Sequence, residues 1–180
     1  MSIRRITAAL AVVTIPQLVV AQVQPAAATA PVSSAFKQST STFAKNLIES
    51  AETMPADKYG FKPTPAQMSF ADIVVHLTEG NDYLCGAIAG AKAPQRSKVS
   101  ATDSKAVLIA RLKETFQFCN DAIATLDDTK LGEQIPFFGG RPMSRAAIMN
   151  LTTGDFADHY SQSAIYLRLN GQLPPTAKKQ

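Results

Sequence analysis

The chain has 180 residues and only two histidines. Each histidine lies where helical periodicity places core side chains. His159 falls in the stretch GDFADHYSQSAIYLRLNGQLPP, residues 154–175, one helical turn after Asp155. Spacing of i, i+4 stacks the two side chains on one helix face. The stripe they share reads Ile148, Leu151, Asp155, His159, Gln162, Tyr166 and Leu169, so an acid and an imidazole interrupt an otherwise apolar face. Burying an unpaired carboxylate costs several kcal/mol, so a compensating group is required. His76 lies in DIVVHLTEGNDYL on a stripe of Ser69, Ile73, His76, Gly80, Tyr83 and Ala87. Both histidines are therefore expected to point inward, from two different helices, with Gly80 leaving space beside His76.

If those helices are neighbours, His76, Asp155 and His159 converge. Two imidazoles and a carboxylate suit zinc with an open fourth position, or iron, nickel or manganese with several. Zinc comes first among these, and open positions would take water whose pKa the ion lowers. The plainer alternative is a hydrogen-bonded couple between Asp155 and one histidine. Glu79 and Asp158 are placed to orient the imidazoles or to stand as ordinary solvated charges. Tyr83, Gln162 and Tyr166 share the register of the histidines and are expected to line a pocket. Ser163, His159 and Asp155 lie on one helix face, which is poor geometry for a nucleophilic triad. No GxSxG elbow, phosphate-cradling glycine loop or CxxC motif occurs.

Four helical segments must position these groups. The first is expected over residues 34–54, with Phe36, Thr40, Phe43, Leu47, Ala51 and Met54 at steps of three and four. The second begins near Pro65 or Ser69, where both TPAQ and SFAD read as helix starts. The third spans about 104–126, with Leu108, Leu112, Thr115, Cys119, Ala122 and Leu126 on one stripe. Ser144 caps the fourth, which runs to Asn170-Gly171 ahead of Pro174-Pro175. Between the third and fourth, Gly139-Gly140 permits a sharp turn, and Phe137 and Phe138 are expected to tuck under the bundle end. Strand signals are nearly absent. The natural architecture is an all-α four-helix bundle.

Residues 1–21 carry Arg4 and Arg5 before the apolar run ITAALAVVTIPQLVVA, a secretory signal pattern too short for a convincing membrane span. A retained anchor is the alternative. Residues 22–33 are Ala/Pro-rich and read as a flexible leader, 34–175 as one domain, and 176–180 as a tail. The formal charge of +4 becomes +2 once Arg4 and Arg5 are removed. So small a balance argues against nucleic acid or an anionic membrane surface as partner. A periplasmic or secreted location follows. Cys85 and Cys119, on consecutive helices of an exported chain, suggest a disulfide, with two free thiols as the alternative.

SFADIVVHLTEGNDYLC together with DFADHYSQSAIYLRLNGQLPP resembles the DinB/YfiT-like superfamily of four-helix-bundle metalloproteins, across about residues 35–175. The resemblance implies an up-down-down-up helix order with long crossovers. It implies a divalent metal held by one histidine of the second helix and two residues four apart on the last. These positions correspond to His76, Asp155 and His159. Asp155 departs from the family's histidine, so the set becomes two imidazoles and a carboxylate, or marks a lineage without metal. The family's HRGQ-like run stands here as His159-Tyr160-Ser161-Gln162. Cys85 and Cys119 then read as a staple between helices two and three.

Two activities follow from the resemblance: metal-dependent hydrolysis, or transfer of a group to a thiol, on an unnamed small-molecule substrate. A non-catalytic envelope bundle that binds metal or a small ligand is the competing expectation. A homodimer is compatible with a bundle of this size.

Overall fold

Pro31 opens the first helix, its ring already holding the helical φ. In the computed structural model, which describes residues 30–177, this helix, α1, runs Pro31–Thr53. It begins three residues before the expected start. No side chain of its own caps it. Instead the Asp128 carboxylate, far along the chain, accepts from the backbone N–H groups of Val32 and Ser33 at 3.0 and 2.8 Å. That tertiary cap satisfies donors a free helix end would leave orphaned, and no local pattern announces it. The signal segment and most of the leader lie outside the described residues.

α2, Phe70–Ala89, starts at the second of the two expected sites. Ser69 and Asp72 form a reciprocal capping box, and Gly90 ends the helix at φ 70°. A side chain there would be strained, so glycine is the apt stop. α3 is Lys105–Ile123, capped by Ser104, and α4 is Arg145–Leu169, capped by Ser144. Between them lies a feature the sequence did not signal. β1, Gln134–Pro136, pairs antiparallel with β2, Pro142–Ser144, in register Ile135 to Met143. Gly139 and Gly140, both at positive φ, turn the hairpin.

Contacts between helix ends give the helix order. Lys105 at the start of α3 donates to the carbonyls of Glu52 and Met54 at the end of α1. Lys37 near the start of α1 donates to those of Ala124 and Leu126 just past α3. These two helices are antiparallel. α2 and α3 run parallel: Asn81 donates to Thr115 at 3.1 Å, and one turn on Cys85 and Cys119 form a disulfide with Cα atoms 5.1 Å apart. α4 opposes α2, since Tyr166 near its end donates to the Met68 carbonyl just before α2 begins. The order is thus up-down-down-up. The segment 90–104 returns along the bundle so that α3 can start beside the start of α2.

One core cluster joins all four helices through Leu47, Ala51, Ile73, Leu77, Leu112, Phe116, Phe156 and Leu167. Phe116 and Phe156 meet with ring centroids 5.4 Å apart. A second cluster at the other end gathers Phe36, Leu84, Ile88, Ile123, Ile148 and Met149, with Phe137 packed against it. Phe138 does not tuck in as expected: it is 63% exposed. The hairpin turn lays it against Tyr83 of α2 instead. No helix among the described residues is long and apolar enough to cross a membrane.

Candidate metal centre

α2 and α4 pack against each other, and their facing residues build the site from both sides. The Ser69–Asp72 box sets where α2 begins, and so the turn on which His76 stands. On α4, Asp155 and His159 are one turn apart. The Nε2 of His159 lies 3.3 Å from Oδ1 of Asp155, and the Nε2 of His76 lies 3.7 Å from the same oxygen. The imidazole rings meet edge-on, with centroids 4.7 Å apart. One ligand atom from each of the three residues lies within 4.8 Å of the others.

The burial is graded. The side chain of His159 is 8% exposed, that of Asp155 32% and that of His76 49%. His159 forms the floor and His76 the rim. The expectation that both histidines point inward therefore fails for His76. The apolar face of α2 is centred on Ile73, Leu77, Leu84 and Ile88, and His76 stands at its edge beside α4. The register expected for α4 shifts in the same way. Leu151 and Leu169 are exposed, while Thr152, Phe156, Ser163 and Leu167 take the buried face. Chemistry-bearing residues sit at the boundary of the apolar face, because there a polar group gains packing and keeps access to solvent.

Electrostatics bind the pair on α4. Burial alone would raise the Asp155 pKa, but hydrogen bonds and charge from His159 and then His76 hold it below its ordinary value. Burial would lower His159, but the Asp155 carboxylate outweighs it, with smaller help from Asp158 and Gln162, and raises it. Nδ1 of His159 is buried and has no hydrogen-bond partner among the described residues.

The spacing is compatible with a loose hydrogen-bonded pair and with a ligand set. A charge-assisted N–H···O bond closes to about 2.7–2.9 Å. Ligands at about 2.1 Å around one tetrahedral ion stand about 3.4 Å apart. The two distances to Asp155, 3.3 and 3.7 Å, lie on either side of the second value. The donor types suit zinc or a harder divalent ion. These three residues fit a divalent metal.

The remaining expected residues divide. Gln162 is beside the site: its amide donates to Asp158 at 2.7 Å, and both contribute to the raised His159 pKa. Tyr83 lies on the exposed side of α2 and stacks on Phe138 at 4.6 Å. Glu79 faces away, into a cleft shared with Asp82, Arg96 and Arg111. Tyr166 is buried elsewhere. Its hydroxyl holds the Met68 carbonyl and its ring meets Phe61 edge-on, so it anchors the α1–α2 loop rather than lining a pocket. Sequence reasoning missed an apolar cleft of about 280 Å³ beside Asp155, lined by Leu84, Phe137, Phe138, Leu151 and Thr152. Its signal is the adjacent pair Phe137-Phe138, expected from the sequence to tuck under the bundle end.

The fold and this site define a helical-bundle protein with a three-residue candidate metal set shared between α2 and α4. The sequence profile of the DinB superfamily matches residues 40–163, and the chain belongs to that superfamily. Solved structures share the fold. A DinB-like protein of Bacillus subtilis superposes with a TM-score of 0.64 at 20% identity, covering 81% of this chain and 99% of that one. A DinB-like protein of Bacillus cereus gives 0.64 at 14%, covering 79% and 95%. A conserved protein of Enterococcus faecalis gives 0.62 at 14%, covering 77% and 96%. No curated protein sequence matches this chain significantly.

Proposed function

We propose that this is an exported, divalent-metal-dependent enzyme that hydrolyses a small molecule or transfers a group from it. The observation that carries the reading is two Nε2 atoms facing one carboxylate oxygen at 3.3 and 3.7 Å, at the lip of a solvent-reaching site. His76, Asp155 and His159 would hold the ion, with zinc the first choice. When bound, such an ion supplies Lewis acidity, polarising a coordinated group and lowering its pKa. The chain supplies the rest. His159 forms a fixed floor beneath Asp155, and the exposed His76 side leaves room for a small molecule to approach. Asp155 would offset part of the ion's charge, and its remaining oxygen can accept a hydrogen bond from an approaching molecule.

Export is supported by the signal pattern of residues 1–21 and by the Cys85–Cys119 bond, which persists in oxidising compartments. The second reading, metal or ligand binding without turnover, is favoured by the exposure of His76, which leaves the site less enclosed than most catalytic centres.

Elemental analysis of the mature protein tests the metal. One equivalent is expected, lost in His76→Ala and in Asp155→Ala, and retained in Asp158→Ala. A metal-free protein whose melting temperature ignores chelators would end both readings. With metal present, a panel of ester, amide and thiol-transfer substrates separates turnover from binding.

A further inference from the structure

The apolar cleft and the metal set share Asp155. We infer that this cleft is the substrate-body subsite, and that it takes an uncharged aromatic group while rejecting an anionic one. The inference deepens the function proposed above and rests on it for the word substrate. The cleft itself stands on separate observations.

The first observation is exposed apolar surface gathered at one place. Phe138 and Leu151 are large apolar side chains left exposed on the lining of the cleft, and exposed Tyr83 stacks on Phe138 beside it. Single exposed apolar residues are ordinary, but a contiguous group beside a polar cluster marks a binding site. Tyr83, Phe137 and Phe138 form a connected aromatic set with centroids 4.6–5.9 Å apart. Tyr83 and Phe138 are nearly parallel, at 27°. Tyr83 thus backs Phe138, while Phe137 and Phe138 give the cleft aromatic surface suited to an aromatic group.

The second observation is charge. Of the six residues that line the cleft, Asp155 alone ionises. No cation faces a carboxylate, phosphate or sulfonate carried on the body of the ligand, and Asp155 repels one. Thr152 adds no free donor, since its hydroxyl is committed to the Ile148 carbonyl at 2.8 Å. The third observation is Gly80. It lies one turn after His76 and one turn before Leu84, between the metal set and the cleft. A Cβ built there meets only Leu84 Cδ1, at 3.8 Å, so the surface of α2 between the two is uncrowded.

Two dyes with the same aromatic body provide the test: neutral N-phenyl-1-naphthylamine, and 8-anilinonaphthalene-1-sulfonate, which adds a sulfonate. Fluorescence titration of the full mature protein is run with zinc and again after chelation. One-to-one binding of the neutral dye is expected in both states, with the sulfonated dye at least about tenfold weaker in the chelated protein. Leu151→Arg, which alters a half-exposed helix position, is expected to weaken the neutral dye at least about tenfold. Phe138→Ser serves the same end should Leu151→Arg fold poorly, with circular dichroism as the check.

Equal affinity for the two dyes, or unchanged affinity in both variants, overturns the inference. So does a dimer in sedimentation that Leu151→Arg dissociates and the neutral dye does not, because the cleft would then be an interface between copies. The two readings fail separately. Neutral-dye binding in a protein that takes up no zinc keeps the cleft and ends the metal. Zinc uptake without dye binding does the reverse.

Discussion

Asp155 faces two imidazoles with one oxygen, and that arrangement gives opposite pH behaviour with and without an ion. The metal-free pair has His159 raised and Asp155 lowered. A raised histidine contributes stability below its unfolded value, about 6.5, and loses it as pH rises through the folded value. A lowered aspartate contributes stability above its unfolded value, about 3.9, and loses it as pH falls through the folded value. This pair therefore stabilises the chelated protein most between those limits, and its contribution falls as pH rises above about 6.5 through the raised His159 value. Metal binding needs both imidazoles neutral, so protons compete with the ion and the stabilisation it adds grows over the same range. Melting temperatures with and without zinc should diverge as pH rises. Parallel curves would mean that zinc does not engage the histidines.

Helix starts decide where these side chains stand. The Ser69–Asp72 box closes with Asp72 accepting from both the backbone and the hydroxyl of Ser69, at 2.9 and 2.6 Å. Ser69→Ala is expected to cost about 1 kcal/mol in urea unfolding, the usual loss for an N-cap. Because the box precedes His76 by two turns, fraying there should also weaken zinc binding modestly. Asp128→Ala removes the cap that a distant loop supplies to α1, at a similar cost of about 1 kcal/mol. Unlike Ser69→Ala, it should leave zinc binding unchanged, since α1 holds no residue of the set. Metal titration of the two variants side by side makes the comparison.

For the whole molecule, the parallel pairing of α2 and α3 is the costly feature. Parallel neighbours need a long return, here residues 90–104, and ordering it opposes folding. The Cys85–Cys119 bond, with a sequence separation of 34, offsets this by restricting the unfolded chain. It is worth about 4 kcal/mol in the chain-entropy picture. Reduction is expected to lower the melting temperature markedly, with two thiols then titrating. No shift on reduction would mean that the bond contributes nothing to the fold. The return segment is also clamped by Arg96, whose guanidinium meets Asp82 at 2.7 Å and Glu114 at 3.2 Å.

The sequence alone determined the number of helices, their near-correct ends and the pairing of the two cysteines. Caps, glycine stops and three-to-four periodicity are local, and they act wherever the chain goes. It also singled out His76, Asp155 and His159, because the chain has only two histidines and Asp155 lies one helical turn before one of them. It could not set the angle of each helix about its own axis. A stripe read by eye tolerates an error of one residue, about 100°, and that error put Leu151 inside and drew His76 off the rim. Tyr166 and Glu79 were misplaced for the same reason. The cap from Asp128 and the closure of the aromatic cleft were not legible, because each joins segments far apart in the chain, and the hairpin strands are too short, at three residues each, to carry a periodic pattern. Only packing four helices around one core decided which flank of α2 met α4, and with it how the two imidazoles came to face one carboxylate.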